Sequence, residues 1–207
     1  MFGIDWLQPD ALIHSLGAAS MLVVMALIYA ETGLLVGFFL PGDSLLFPVG
    51  LALSAGIIPV PLWLACILIS LAALAGDQTG YWIGRKFGPR VFNKPDSRFF
   101  SQKNVSRTNS FFERYGNRAV VLAHFVPVMR TFVPVAAGIG EMSYRRFLRY
   151  NIVGVVGWGS GVTLLGAALG NIPFVAKNIE WFTLAFVVLS TIPIILEALK
   201  ARRENRD

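Results

Sequence analysis

The sequence predicts an all-α integral membrane protein, and three observations lead to this fold class. Of the 207 residues, 55% are hydrophobic and only 14% are charged, whereas soluble domains carry about 25% charged residues. Several apolar stretches reach the roughly 20 residues that a transmembrane helix needs. The basic residues are concentrated in three blocks, as expected where positive charge stays on the cytoplasmic side of a membrane.

Four apolar segments are predicted to span the membrane, at about residues 12–30, 60–84, 149–170 and 178–199. They form the core, about residues 12–199, of a single membrane domain that covers residues 1–207. A turn at Asn171–Ile172–Pro173 separates the last two spans. No basic n-region precedes the first span, so we expect no cleaved signal peptide.

Lysine and arginine predict the orientation of these spans. No Lys or Arg precedes Arg85, and nine lie in the basic loop from Arg85 to Arg118. Further clusters occupy residues 145–149 and the tail, residues 200–207. The positive-inside rule places all three blocks, and with them both termini, in the cytoplasm. The net charge of +6 is thus a signal of topology, and no nucleic-acid partner is expected.

Two further apolar segments, residues 31–58 and 119–142, are interrupted by proline and glycine. Basic blocks flank the second at both ends, so it is predicted to be a re-entrant hairpin that enters from the cytoplasm and bends at Pro127 or Pro134. By analogy, the first is predicted to be a hairpin that bends at Pro41–Gly42 and enters from the outer face. Two hairpins of opposite orientation suggest an inverted repeat.

The basic loop is predicted to contain an amphipathic helix that lies on the anionic cytoplasmic leaflet. Asp96 and Ser97 follow Pro95 and can cap its first turn. One helical face then carries Val105, Thr108, Phe112 and Tyr115. An ordinary solvated connector is the alternative.

Arg130 is the first candidate substrate-binding residue, because an ionisable side chain within a membrane marks a transport site by default. It lies between two prolines in an apolar run. Its planar fork suits phosphate, to which it can donate two parallel hydrogen bonds. The alternative is a structural ion pair with Glu31 or Asp43.

Three other titratable residues complete the candidate transport site. Glu31 and Asp43 are candidates for proton uptake and release, because burial and a nearby arginine act on carboxyl ionisation in opposite directions. Asp43 alternatively closes a Pro-Gly-Asp-Ser turn or caps a helix that begins near Ser44. His124 can change charge near neutral pH, and a neutral packed ring is the alternative.

Asp77, Tyr81 and Arg85 lie at i, i+4 and i+8 on one helix face. We expect them to fix this helix and its cytoplasmic end rather than to contact substrate. Metal and cofactor sites are not expected, because Cys66 is the only cysteine and the chain has only two histidines.

The ordered set of these residues resembles the DedA family, whose shared region is also called the SNARE-associated or VTT domain. The resemblance covers about residues 12–199. It is carried by Glu31, by Phe39-Leu40-Pro41-Gly42-Asp43, by the glycine-rich motif from Gly76 to Gly88, by Phe125-Val126-Pro127 with Arg130, Pro134 and Ala137-Gly138, and by the glycines from Gly154 to Gly161.

The resemblance implies a multi-pass protein of the bacterial inner membrane with two re-entrant hairpins. Family members are linked to moving lipids between leaflets, and several resemble transporters that recycle undecaprenyl phosphate. The functional acids of the family map onto Glu31 and Asp43, and its arginine pair maps onto positions 124 and 130. Position 124 is histidine here, which departs from the two-arginine pattern.

The sequence therefore predicts a flippase for a lipid phosphate, such as undecaprenyl phosphate or a related phospholipid, with protons as candidate coupling ions. Pro41, Gly42, Pro127, Pro134 and Gly138 would shape its hairpins. A proton-coupled transporter for a small solute or ion is the alternative, and a homo-oligomer is compatible with either. An enzyme is not expected, because a membrane lipid phosphatase needs a second histidine and a basic array that do not surround His124.

Overall fold

A computed structural model describes residues 9–33, 42–91, 110, 112–178, 181, 182 and 185, and every regular element among them is helical. The prediction of an all-α fold is confirmed for these residues. The α-helices are α1 (Pro9–Gly33), α2 (Gly42–Ser54), α3 (Leu62–Val91), α4 (Ala119–Ala123), α5 (Pro127–Ile139), α6 (Tyr144–Val155), α7 (Gly161–Gly170) and α8 (Pro173–Lys177). A 3₁₀ helix, Gly116–Arg118, precedes α4, and a π-helix, Val156–Ser160, joins α6 to α7.

Two helices are long and apolar enough to cross a membrane, Leu62–Lys86 and Tyr144–Gly170. They match the predicted spans at about residues 60–84 and 149–170. The second helix begins five residues before the predicted start of its span. The exposed arginines Arg145, Arg146 and Arg149 lie on its first turns, so the helix extends beyond the apolar stretch from which the span was predicted. Likewise α3 continues to Val91, into the predicted basic loop, since cations are favourable at a helix C-terminus.

The predicted first span falls within α1, whose continuous apolar part is Ala19–Gly33. The backbone of α1 is non-helical at Gly17, with φ 18° and ψ −111°. The predicted span at 178–199 lies almost entirely outside the described residues. Most of the predicted amphipathic helix does so too, although Phe112 and Tyr115 are helical. The number of spans stays a prediction.

The segment 119–142 is broken once, between α4 and α5. Residues 124–126 are non-helical, and Pro127 is at the start of α5, where a missing N–H is tolerated. Pro134 lies inside α5 without ending it, so the break is at Pro127 and not at Pro134. In the other segment α2 begins at Gly42, whereas Pro41 lies outside the described residues. Re-entry of either segment stays a prediction.

The chain divides into two compact units. The first comprises Met1–Met21, Pro41–Leu62 and Val162–Asp207. Its buried cluster contains Phe47, Leu51 and Val175, and α7 approaches α2 so closely that a Cβ at Gly166 would overlap the carbonyl of Phe47. The prediction of one membrane domain stays a prediction.

The second unit comprises Leu22–Leu40 and Trp63–Gly161. Its core joins α3, α4, α5 and α6 through Tyr81, Val120, Ala123, Val133, Ala137 and Phe147. The helices α3 and α5 are nearly in backbone contact, because a Cβ at Gly138 would overlap the carbonyl of Tyr81. This close packing holds the broken segment against α3 and thereby positions the residues of the candidate site.

Candidate functional site

Arg130 and Glu31 form a buried ion pair within the second unit. Arg130 Nη2 donates to Glu31 Oε1 at 2.5 Å, and the two residues are 2% and 3% exposed. Pro127 starts α5 after an extended residue, Val126, so Arg130 sits at the end of the first turn and its N–H donates to the Val126 carbonyl at 3.0 Å. The ion pair that the sequence left open as the alternative for Arg130 is therefore formed, with Glu31 as the partner.

Trp158 provides a second surface for the Arg130 guanidinium. The Arg130 Cζ atom lies 4.4 Å from the centroid of the Trp158 ring, a distance at which a cation is attracted by the face of an indole. Trp158 is 5% exposed and belongs to the π-helix Val156–Ser160. The guanidinium is therefore oriented by a carboxylate and by an aromatic face.

His124 and Asp77 form a second buried pair. His124 Nε2 lies 3.1 Å from Asp77 Oδ2, and His124 Nδ1 lies 2.9 Å from the Val120 carbonyl oxygen. Asp77 is 0% exposed and His124 is 3% exposed. Gly154 on α6 faces the ring so closely that a Cβ there would overlap His124 Nδ1. The ring is thus enclosed between α3 and α6.

The two pairs meet at Trp158. Its ring centroid is 6.5 Å from that of His124, with an interplanar angle of 48°. Glu31, Asp77, His124, Arg130 and Trp158 together form what we call the charged cluster. All five belong to the second unit, and each is almost fully buried. A cluster of two acids, one arginine and one histidine in an apolar unit can hold an anion, a proton or both.

Tyr81 and Arg85 form hydrogen bonds on α3 and contact no residue of the charged cluster in these bonds. Tyr81 Oη donates to the Met142 carbonyl at 2.6 Å, and Arg85 Nη1 donates to Tyr81 Oη at 3.0 Å. These bonds tie α3 to the turn that precedes α6. Asp77 lies on the same helix face, but it contacts His124 and is part of the charged cluster.

The remaining predicted site residues are described only in part. Asp43 occupies the first turn of α2, but its side chain lies outside what the structure describes. Pro134 and Gly138 are buried in α5. Among the described residues, no three His, Cys, Asp or Glu side chains form a group that could hold a metal ion.

Sequence reasoning did not identify Trp158 or Asn151 as candidate residues, and it gave His124 no partner. Asn151 is 0% exposed, and neither atom of its amide has a hydrogen-bond partner within the described part of the chain. Two signals in the sequence were available for these residues. Asn151 is a polar residue at the start of an apolar stretch of α6, and Trp158 lies between two glycines.

A cavity of about 680 Å³ lies beside the turn between α5 and α6. Its polar lining includes Glu113, Asn117, Glu141, Ser143 and Arg146. No residue of the charged cluster lines it, so it is separate from the candidate site.

The chain matches the VTT domain over residues 40–168. It is 44% identical to an uncharacterized membrane protein of Mycobacterium tuberculosis over 98% of this chain and 87% of the relative. It is 38% identical to Protein DedA of Escherichia coli over 87% of this chain and 83% of that protein. It is 32% identical to the inner membrane protein YghB of Escherichia coli over 86% and 80%, respectively. No solved structure matches the chain.

Proposed function

This chain belongs to the DedA family of VTT-domain membrane proteins, and from that premise we propose that it is a transporter that moves a lipid phosphate between membrane leaflets. One observation carries the proposal: Arg130 is buried and oriented at a break in an apolar helical segment. Undecaprenyl phosphate or a related phospholipid is the proposed substrate. The proposed location is the inner membrane of a bacterium, as the name of the relative YghB suggests.

Arginine suits this task because its guanidinium binds phosphate through two parallel charge-assisted hydrogen bonds. Removing the partner of a buried ion is strongly unfavourable, by about 3–5 kcal/mol. We therefore propose that phosphate takes the place of Glu31 at Arg130, so that the guanidinium keeps an anionic partner at each stage. Trp158 would hold the plane of the guanidinium during the exchange.

Helix lengths support the proposed re-entrant hairpins. The helix α5 has 13 residues and is about 20 Å long at 1.5 Å per residue, whereas the hydrocarbon core of a bilayer is about 30 Å thick. The helix α4 has only five residues, and α2 has 13. Such short helices fit segments that enter and leave on one side. We propose that the hairpins have opposite orientations, as in an inverted repeat, among about four spans.

The proposal assigns transport, not catalysis, to the charged cluster. In this arrangement the headgroup phosphate binds at Arg130 while the hydrocarbon chain stays in lipid. A second candidate function, proton-coupled transport of a small solute or ion, is favoured by the enclosed His124–Asp77 pair. The two functions differ in the substrate that crosses the membrane.

A flipping assay with purified protein in proteoliposomes tests the proposal. Radiolabelled undecaprenyl phosphate, a phosphate-free polyprenol and soluble inorganic phosphate would be compared in the same vesicles. We expect protein-dependent movement of the lipid phosphate alone. Movement of inorganic phosphate without movement of the lipid would favour the small-solute transporter, and equal movement of the polyprenol would contradict recognition through Arg130.

A further inference from the structure

The hydrogen bonds of His124 determine where its protons are. A carbonyl oxygen only accepts, so the 2.9 Å contact with Val120 requires a hydrogen on Nδ1. That hydrogen completes the neutral ring. The 3.1 Å contact between Nε2 and Asp77 Oδ2 therefore needs one additional proton, on the imidazole or on the carboxyl. Loss of this proton would place a nitrogen lone pair against a carboxylate, so the pair must open or admit water when the proton leaves.

The other carboxyl oxygen of Asp77 points to a route for that proton. Asp77 Oδ1 is buried and has no hydrogen-bond partner among the residues that the structure describes. Buried polar groups are as a rule satisfied by protein or by ordered water. A water bound to Oδ1 would lie one hydrogen bond away from the proton shared with His124.

Helical spacing on α3 and α6 puts Asn151 near the level of Asp77. On α6, Asn151 is one turn after Phe147 and one turn before Gly154. Phe147 stacks on Tyr81 at a centroid distance of 4.6 Å, and Gly154 contacts His124. On α3, Asp77 is one turn before Tyr81. The amide of Asn151, unpartnered within the described chain, offers both donors and an acceptor to a water in this layer.

We propose that Asp77, His124 and Asn151 form a proton-exchange site, distinct from the phosphate site at Arg130, that carries one proton for each lipid phosphate moved. In the loaded state the proton lies between Nε2 and Oδ2. On unloading it passes through the carboxyl group of Asp77 to a water held by Asn151. The pair is left as a neutral imidazole with a hydrogen on Nδ1 and a carboxylate.

The coupling of this site to Arg130, which rests on the proposed function, is electrostatic. The described charged groups that face the ring are Asp77 on α3 and, across Trp158, Arg130 on α5 with its partner Glu31 on α1. From α6 the ring meets Gly154 and, beyond the helix end, Trp158, while Arg118 in the 3₁₀ helix is exposed. A phosphate at Arg130 brings negative charge near the pair and so favours its loaded, protonated state.

Gradient-driven distribution of lipid tests the coupling. Proteoliposomes would contain radiolabelled undecaprenyl phosphate, with the membrane potential held at zero by potassium and valinomycin. With one proton per lipid, a gradient of one pH unit corresponds to about 1.36 kcal/mol. We therefore expect the wild-type protein to shift the ratio of lipid between leaflets about tenfold.

Two variants remove the exchangeable proton in different ways. Asp77→Asn removes the carboxylate, and His124→Arg places a permanent charge at the position where the family has arginine. We expect both variants to lose most of the tenfold shift when the distribution of the lipid no longer changes with time. Glu113→Gln, an exposed acid on the same unit, is the matched control and should keep it. The ionisation of the lipid itself responds to the pH gradient in the same way in vesicles of every variant. A tenfold shift retained by Asp77→Asn and His124→Arg would therefore not come from these residues and would overturn the proposal.

An NMR measurement tests the site without transport. In a His14→Gln background His124 is the sole histidine, so ¹⁵N-histidine labelling in nanodiscs reports on it alone. We expect Nδ1 to carry a hydrogen and the Nε2 signal to change when Asp77→Asn removes the carboxyl group that shares its proton. A hydrogen on Nε2 alone, or an Nε2 signal that Asp77→Asn leaves unchanged, would overturn the proton site even where lipid is transported. An Nε2 signal that responds to Asp77→Asn without lipid flipping would instead overturn the proposed function and leave the site supported.

Discussion

The two buried pairs of the charged cluster differ in their cations. Arg130 is charged at every physiological pH, so its pair with Glu31 can open only when another anion replaces the carboxylate. His124 can become neutral, so its pair with Asp77 can open by losing a proton. Trp158 separates the two, 4.4 Å from the guanidinium and 6.5 Å from the imidazole. One pair is thus suited to exchange anions and the other to exchange protons, and each of the following predictions tests this contrast.

The largest effect is expected for Glu31→Gln. The substitution keeps the shape of the side chain but removes the carboxylate from a buried arginine, and breaking such a pair lowers stability by about 3–5 kcal/mol. The free energy of unfolding in mixed micelles would measure it. Glu113→Gln is the control at an exposed position and should leave this free energy unchanged. A loss below about 1 kcal/mol would show that the carboxylate is not what stabilises Arg130.

Arg130→Lys separates a phosphate site from a structural ion pair. Lysine keeps the charge but loses the bidentate fork and the flat surface that faces Trp158. The expected loss is about 1.5–3 kcal/mol of binding, or roughly tenfold to a hundredfold in affinity for the lipid phosphate, and lipid transport should fall strongly. Arg149→Lys makes the same chemical change at an exposed position of α6 and should transport as wild type does. Wild-type transport by Arg130→Lys at matched protein levels would favour the structural pair.

The sequence was sufficient to predict the helical fold and two helices long enough to span a membrane, and it offered an ion pair with Glu31 or Asp43 as the alternative for Arg130. Hydropathy and a buried cation's need for an anion carry these inferences. It did not decide between Pro127 and Pro134 as the bend, because proline is tolerated within membrane helices when neighbours satisfy the backbone. The packing of Gly138 on α3 keeps α5 continuous through Pro134, and such packing is not visible in one sequence.

The partners of His124 and the role of Trp158 were beyond sequence reasoning for a different reason. Asp77 lies on α3, and His124 directly follows α4, 47 residues later in the chain, so their contact depends on how α3 packs against the end of α4. Trp158 lies in a π-helix, which shifts the register of the residues after it relative to a regular α-helix. A prediction from 3.6-residue periodicity therefore does not show which way Trp158 faces.

Asp77→Asn should be milder than Glu31→Gln, although Asp77 is the more deeply buried acid. When Asp77 becomes an amide, His124 can lose its extra proton and accept a hydrogen bond from the Asn side chain. We expect the free energy of unfolding to fall by about 1–2 kcal/mol, measured in the same mixed micelles. An equal or larger loss than that of Glu31→Gln would contradict the contrast between a permanent and a removable charge.

Tyr81→Phe should have the smallest effect, because it changes the support of the charged cluster and none of its members. The variant loses the bond to the Met142 carbonyl and the one from Arg85 but keeps the ring that stacks on Phe147. We expect a loss of about 0.5–1 kcal/mol in unfolding free energy. Tyr144→Phe, at a more exposed position, is the control. Since neither the anion nor the proton contacts Tyr81, lipid transport and its response to a pH gradient should both match wild type at equal protein levels. A selective loss of the gradient response would extend the proton-exchange site along α3 to Tyr81 and Arg85.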